Sequence, residues 1–202
     1  MQKRNYQKEL EQILDAIQIS GSTPRLLLHS CCAPCSSYVL EYLNQYFSIT
    51  VLYYNPNIAP REEYEHRKAE QIRLIAEGNW TNPVSFLDCD WENEAFMAMA
   101  KGLEDIPEGG VRCFACYELR LAAAAKAAKA SGFDYFTTTL SISPLKNAEK
   151  LNTIGEKLAE QYGVPHLPAD FKKKEGYKRS IELSRKYGLY RQDYCGCIYS
   201  KK

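Results

Sequence analysis

The amino-acid sequence predicts an α/β fold built on a doubly wound, mainly parallel sheet. Three observations carry that expectation. Short apolar runs of strand length recur along the 202 residues, helical-period segments alternate with them, and the rarest residue types cluster directly behind the runs. Strands that alternate with helices of ten or more residues pair in parallel, because each helix carries the chain back across one face of the sheet. Ligands of such sheets collect beyond the carboxyl ends of the strands, where strand order reverses. The length suits one domain with a sizeable core.

The elements follow in order. Residues 5–17 bring Leu10, Ile13, Leu14 and Ile17 together at helical spacing, and Gly21-Ser22-Thr23-Pro24 ends that helix. Residues 26–29 form a buried strand, with a helix over residues 36–44 behind it. Residues 49–54 form the second strand, closed by the turn Asn55-Pro56-Asn57. A charged helix spans 62–77 and a third strand 84–87; Asp90 or Asn93 is positioned to cap a helix ending at residue 101. Beyond the loop Pro107-Glu108-Gly109-Gly110, an alanine-rich helix covers 117–131 and a fourth strand 135–139. Residues 147–162 make a helix stopped by Gly163, residues 164–167 a short strand, and 177–187 the last helix. On this frame Cys31, Cys32 and Cys35 follow the first strand, Asn55 the second, Cys89 and Asp90 the third, and residues 139–143 the fourth. All of them meet on one rim.

Composition narrows the class. Apolar residues make up 45% of the chain. The mean hydropathy is −0.44, and no apolar run approaches the ~18 residues of a membrane span. The start, Met1-Gln2-Lys3-Arg4, has neither the apolar segment nor the cleavage site of a secretory signal. A reducing, cytoplasmic location is expected, where clustered cysteines hold metal or do redox work rather than staple a fold. Seven of the eight cysteines fall into three groups: Cys31, Cys32 and Cys35; Cys113 and Cys116; Cys195 and Cys197. The net charge of +1 conceals an asymmetry, since residues 170–202 hold ten Lys/Arg against four Asp/Glu. A basic region on an acidic body offers a face to a polyanion such as nucleic acid, or is simply a solvated helix face.

Cys31-Cys32-Ala33-Pro34-Cys35 sets three thiols in a strand-to-helix turn, and Cys113-Phe114-Ala115-Cys116 opens a second helix. Helix N-termini stabilise thiolates, which are ligands for soft metals. Two such groups can supply four thiolates to zinc or to an iron–sulfur cluster, and spacing alone does not choose. Cys195-Gly196-Cys197 can close a strained, readily reduced disulfide or bind a second metal.

Six separated motifs then match one family in order: His29-Ser30-Cys31-Cys32-Ala33-Pro34-Cys35; Tyr54-Asn55-Pro56-Asn57-Ile58; Gly109-Gly110-Val111-Arg112-Cys113-Phe114-Ala115-Cys116-Tyr117; Thr137-Thr138-Thr139-Leu140; Ser143-Pro144-Leu145-Lys146-Asn147; and Leu189-Tyr190-Arg191-Gln192-Asp193-Tyr194-Cys195-Gly196-Cys197. The chain resembles the QueH family of epoxyqueuosine reductases over residues 26–200. The resemblance implies an adenine-nucleotide α-hydrolase-like (HUP, Rossmann-like) fold. It implies an oxidoreductase that removes the epoxide oxygen of epoxyqueuosine in tRNA with two electrons and two protons, giving queuosine at the wobble position without cobalamin. It also implies a four-iron four-sulfur (4Fe-4S) cluster and a second metal ion, an iron, beside it. On that resemblance the cluster ligands are Cys31, Cys32, Cys113 and Cys116, and Cys35 is available to the second metal. Cys195 and Cys197 are then the catalytic, redox-active pair or ligands of that metal. The partners are tRNA carrying epoxyqueuosine and an electron donor that the sequence does not identify, with no membrane. Residues 1–25 stand as an N-terminal helical extension and 26–202 as a single α/β catalytic domain, with a cysteine-rich metal site and a basic C-terminal region.

Rival readings are a zinc-stabilised RNA-binding module without catalysis, an ATP-dependent tRNA thiolation enzyme and a protein thiol-disulfide oxidoreductase. The thiolation enzyme needs a glycine-rich phosphate loop after the first strand, where this chain has Ser30-Cys31-Cys32-Ala33-Pro34. Among other residues, His29 is expected in the core, residues 137–139 in a strand, and Asp90 and Asp193 in caps or ion pairs. Lys146 and Arg191 are expected to meet phosphate, Tyr190 or Tyr194 to stack on a base, and Cys89 to fill space. Lys172, Lys173, Lys174, Lys178 and Arg179 are expected to carry tRNA binding.

Overall fold

The computed structural model describes residues 4–201. Strands β1 (Arg25–His29), β2 (Ser48–Leu52), β3 (Val84–Leu87) and β4 (Tyr135–Thr138) form one all-parallel sheet in the order β3-β2-β1-β4. The chain moves outward from β1 to β3 and then returns to place β4 on the other side of β1. The switch point therefore lies between β1 and β4.

Among the described residues seven α-helices surround the sheet: α1 (Tyr6–Ser20), α2 (Ala33–Leu43), α3 (Arg61–Glu77), α4 (Asn93–Ala100), α5 (Val111–Ala130), α6 (Ala148–Tyr162) and α7 (Gly176–Lys186). Alternation along β1 divides the core in two. Leu26 and Leu28 pack with Leu10 and Leu14 of α1, Val39 and Leu40 of α2 and Leu74 of α3. Leu27 points the other way, into Phe136, Leu121 and Ala124 of α5, and Leu151 and Leu158 of α6. Each fully buried leucine stabilises the fold by roughly 1.5–3 kcal/mol. The first helix thus shares the main core; residues 1–3 of the expected extension lie outside the described residues. Asn5 caps α1 through Lys8 N, and Gly21 ends it at φ 66°.

Several boundaries differ from expectation. Residues 164–167 do not form a strand: a single bridge links His166 to Phe136. Pro165 lies within that stretch and Pro168 follows it, and neither has an N–H to donate, leaving only the bond from Leu167 N to Phe136 O and that from Phe136 N to Pro165 O. Helix α2 starts at Ala33 and α5 at Val111, each earlier than expected, so Cys35, Cys113 and Cys116 sit inside helical turns. Neither Asp90 nor Asn93 caps α4; Glu92 occupies the cap position without a side-chain bond, and Asn93 donates instead to Pro56 O at 2.7 Å. Among the described residues no helix is long and apolar enough to cross a membrane.

Candidate active site and metal centre

The strand ends bring the rim residues together at the switch point. Cys31 leaves β1 beside Thr139, which follows β4: its N–H donates to Thr139 Oγ1 at 3.2 Å, and its Sγ lies 3.4 Å from the same oxygen. Cys32 is the N-cap of α2 in an extended conformation, with Pro34 in the first turn. The thiols of Cys31, Cys32 and Cys35 all lie within 4.8 Å of one another and could hold a metal ion. Hydrogen bonds from the thiols of Cys32 and Cys35 hold Cys31 well below the usual thiol value. Cys32, keeping the proton it donates to Cys31, is pushed up to about 12, and Cys35 is raised for the same reason. One thiolate solvated by two thiols is a nascent soft-metal site.

The second cysteine pair opens α5. Gly110 is the N-cap, and Gly109 N donates to Cys113 Sγ at 3.3 Å. Cys113, Cys116, Tyr117 and Arg120 recur at i, i+3, i+4 and i+7 and share one helix face. That face meets Cys195, Cys197, Asn57 and Lys146 around a narrow cleft. Its free interior is about 20 Å³, against roughly 300–1,000 Å³ for pockets that enclose organic ligands. A nucleoside would meet these thiols at the mouth rather than inside.

The C-terminal strap that brings Cys195 and Cys197 here is held by the turn after β2. Ala59 N donates to Gly196 O at 3.0 Å, Asn57 Nδ2 to Cys195 O at 3.2 Å, and Tyr194 OH to Ala59 O at 2.9 Å. Arg67, ion-paired with Glu63 at 2.7 Å, lies 5.0 Å from the Tyr194 ring. Arg112 donates to the carbonyls of Leu103, Glu104 and Ile106 and lies 5.0 Å from the Tyr199 ring. Both thiols of the pair are free. The Cys197 thiol, Lys146 and the Ser200 hydroxyl, 3.0 Å from Cys195 Sγ, hold Cys195 down at about 5 despite its burial. Cys197, holding the donated proton, is raised. The pair is therefore polarised, with the negative charge on Cys195 and the proton on Cys197.

Other expected residues sort themselves. His29 is a core histidine: its neutral ring donates from Nε2 to Tyr54 O at 3.0 Å and accepts from Thr138 Oγ1 at 2.8 Å, and burial lowers its pKa to about 4. Thr137 donates to Leu167 O. Lys146 is not a surface phosphate contact; it is largely buried, pairs with Glu108 at 2.8 Å and faces Cys195. Arg191 donates to Ser184 Oγ at 3.1 Å. Tyr190 OH bonds Glu63 and its ring meets His66 edge-on. Tyr194 has Arg67 at 5.0 Å and Lys201 at 5.6 Å from its ring. Burial raises half-buried Cys89 to about 11, as suits a packing residue. Of the five expected tRNA-binding cations, Lys172 pairs with Asp170, Lys174 with Glu11, Lys178 with Glu175, and Arg179 with Glu41 and Glu182. Such exposed pairs contribute only ~0–1 kcal/mol each and yield readily to phosphate.

Sequence reading missed Tyr117, Arg120 and Ser200. For the first two the signal was present in the helical spacing from Cys113 and Cys116. Ser200 had none, because its role depends on the final turn.

A family model described as "Epoxyqueuosine reductase QueH" matches residues 26–202. The chain is 45% identical over 203 residues to the Epoxyqueuosine reductase QueH of Staphylococcus epidermidis, covering 98% of this chain and 85% of the relative. It is 42% identical to the protein of that name from Streptococcus pyogenes serotype M1, over 100% of this chain and 80% of the relative. The like-named protein of Thermotoga maritima is 34% identical, over 87% and 89%.

Proposed function

The chain belongs to the epoxyqueuosine reductase QueH family, and we propose that it removes the epoxide oxygen of epoxyqueuosine at the wobble position of tRNA. The oxygen leaves as water, taking two electrons and two protons, and the alkene of queuosine remains. The observation that carries this reading is the meeting of two cysteine pairs in one cleft, with a low-pKa Cys195 beside the Lys146 ammonium, while a third group of thiols sits at the sheet's switch point.

The residues fit an iron–sulfur centre. The donors are soft thiols, two groups open helices, and buried Arg120 and Lys146 stand beside them to offset anionic charge. Tyr117 OH and Asn57 Oδ1 are buried at the cleft without partners, as polar atoms awaiting a ligand are. In our reading Cys31, Cys32, Cys113 and Cys116 hold a four-iron four-sulfur cluster and Cys35 serves a second metal ion. When bound, the cluster would pass electrons singly between an external donor and the site, without cobalamin. The pair supplies what one cluster does not: the Cys195 thiolate and the Cys197 thiol give up two electrons and one proton and close to a disulfide, and the Lys146 ammonium beside them supplies the second proton. The Lys146 ammonium keeps Cys195 ionised, and the Ser200 hydroxyl orients its sulfur.

One observation favours a second division of the thiols. Cys113, Cys116, Cys195 and Cys197 line the same cleft, while Cys31, Cys32 and Cys35 form a compact triad. In that version Cys195 and Cys197 are ligands and no disulfide forms. The experiment is anaerobic reconstitution with iron and sulfide, followed by incubation with epoxyqueuosine-containing tRNA and a reductant. Wild type is expected to yield queuosine. Cys197→Ser is expected to keep its iron and lose turnover; loss of iron from that variant would favour the second division. Fully loaded wild type that forms no product would overturn the function itself.

A further inference from the structure

The three buried arginines near the cysteines differ in what answers their charge. Arg67 pairs with Glu63, and Arg112 is caged by three carbonyls. Arg120, 4% exposed, has neither arrangement. Its Nε donates to Cys116 O at 3.3 Å and its Nη1 to Asn55 Oδ1 at 3.4 Å, both long contacts to neutral acceptors. Among the described residues no carboxylate forms a salt bridge with it. Asn55 is committed as well, since its Nδ2 donates to Ser30 O at 2.8 Å. A buried guanidinium facing only neutral acceptors is costly, and the cost is relieved only where an anion arrives.

The anions within its reach are thiolates. Arg120 lines the cleft with Cys113, Cys116, Cys195 and Cys197. Through Asn55 it also reaches Ser30, the residue before Cys31, so it stands between the groups on β1, α5 and the C-terminal strap. We infer that Arg120 is an electrostatic positioning residue, the fixed counter-charge that steadies an anionic thiolate–metal centre at this cleft. This rests on the iron–sulfur reading above. A neutral side chain of similar reach would penalise the loaded protein far more than the empty one, so the two forms respond unequally.

That inequality is the test. Wild type, Arg120→Met and Arg120→Lys are compared by anaerobic thermal unfolding with and without reconstituted iron and sulfide. Iron release to a chelator and the cluster's reduction midpoint are also measured. Arg120→Met is expected to change the Tm of the metal-free protein by less than about 3 °C, since a buried charge and its long hydrogen bonds are removed together. In the loaded protein it is expected to speed iron release at least tenfold and lower the midpoint, with Arg120→Lys nearer to wild type. A lower Tm in both forms, with iron release and midpoint unchanged, would overturn the inference and leave Arg120 a tie between α5 and Asn55. A wild type that takes up no iron would overturn the iron–sulfur reading, and this inference with it.

Discussion

Gly196→Ala isolates the strap that delivers the dithiol. Gly196 has φ +96°, and a Cβ there would stand 2.7 Å from Ile58 Cγ1 and 3.2 Å from Ile58 Cα. The backbone conformation costs an L-residue ~1–3 kcal/mol and the overpacking against buried Ile58 a further ~1–3 kcal/mol. Opposing that strain are the bonds from Ala59 N to Gly196 O, from Asn57 Nδ2 to Cys195 O and from Tyr194 OH to Ala59 O, together contributing about 1.5–4.5 kcal/mol. The middle of the strain range exceeds that of the tether, so the strap detaches while the sheet stays folded. The loss of Tm is then capped near the tether's own contribution, roughly 15 °C at most for a chain of this size. Once detached, Cys195 leaves Lys146, and the altered backbone at residue 196 breaks the Cys197 bond that does most to lower it, so its titration returns towards that of a free thiol. The assay is alkylation of Cys195 against pH in reduced, metal-free protein, with turnover of the loaded enzyme alongside. The half-point is expected to rise from the wild type's, near pH 5, to above 7, with turnover falling at least a hundredfold. Wild-type turnover with an unmoved half-point would refute the reasoning.

Changing Cys31, Cys32, Cys113 or Cys116 to Ala is expected to cost each variant most of its iron, and stability with it, since ligand binding contributes folding energy; near-normal iron and sulfide in any one would show that residue is not a ligand. Burial holds His166 neutral, with its pKa lowered to about 3. The unfolded chain binds the extra proton below about 6.5, so stability is present above that pH and falls as pH drops towards 3, by on the order of 4–5 kcal/mol across the window. Denaturant titrations of metal-free protein are expected to show a steep slope in wild type and a shallower one in His166→Leu, where His29, lowered to about 4, supplies what remains; an unchanged slope would place the proton elsewhere. Neutralising Lys172, Lys173, Lys174, Lys178 and Arg179 is expected to weaken tRNA binding and flatten its log–log salt dependence by about 0.7–0.9 for each phosphate that a cation no longer neutralises. Unchanged affinity would move the tRNA interface to another face.

The sheet was legible because its signals are local. Leu26-Leu27-Leu28 and the runs over 49–54 and 84–87 are strands by composition and helix alternation, and the order of elements already implied parallel pairing. Residues 164–167 misled because an apolar run interrupted by Pro165 and closed by Pro168 carries a strand's hydrophobicity without its hydrogen bonds. The early starts of α2 and α5 were hidden by turn-like residues, Ala33-Pro34 and Gly109-Gly110, that serve as a first turn and a cap. Placing the cysteines at the rim needed only strand order. The pairing of Cys195 with Lys146 and Ser200, and of Arg120 with three thiol groups, depends on contacts between distant segments that no window of sequence contains. Lys174 and Arg179 looked free in sequence because their acidic partners Glu11 and Glu41 lie far along the chain.

A single-turnover experiment tests the central claim most directly. Iron-loaded protein is fully reduced, freed of excess reductant under anaerobic conditions and mixed with one equivalent of tRNA bearing epoxyqueuosine. Queuosine and the free thiols at Cys195 and Cys197 are then counted by mass spectrometry after trapping. The expected result is up to one queuosine per chain, with the two thiols lost together in step with product. Absence of product, or product formed while both thiols remain free, would contradict it.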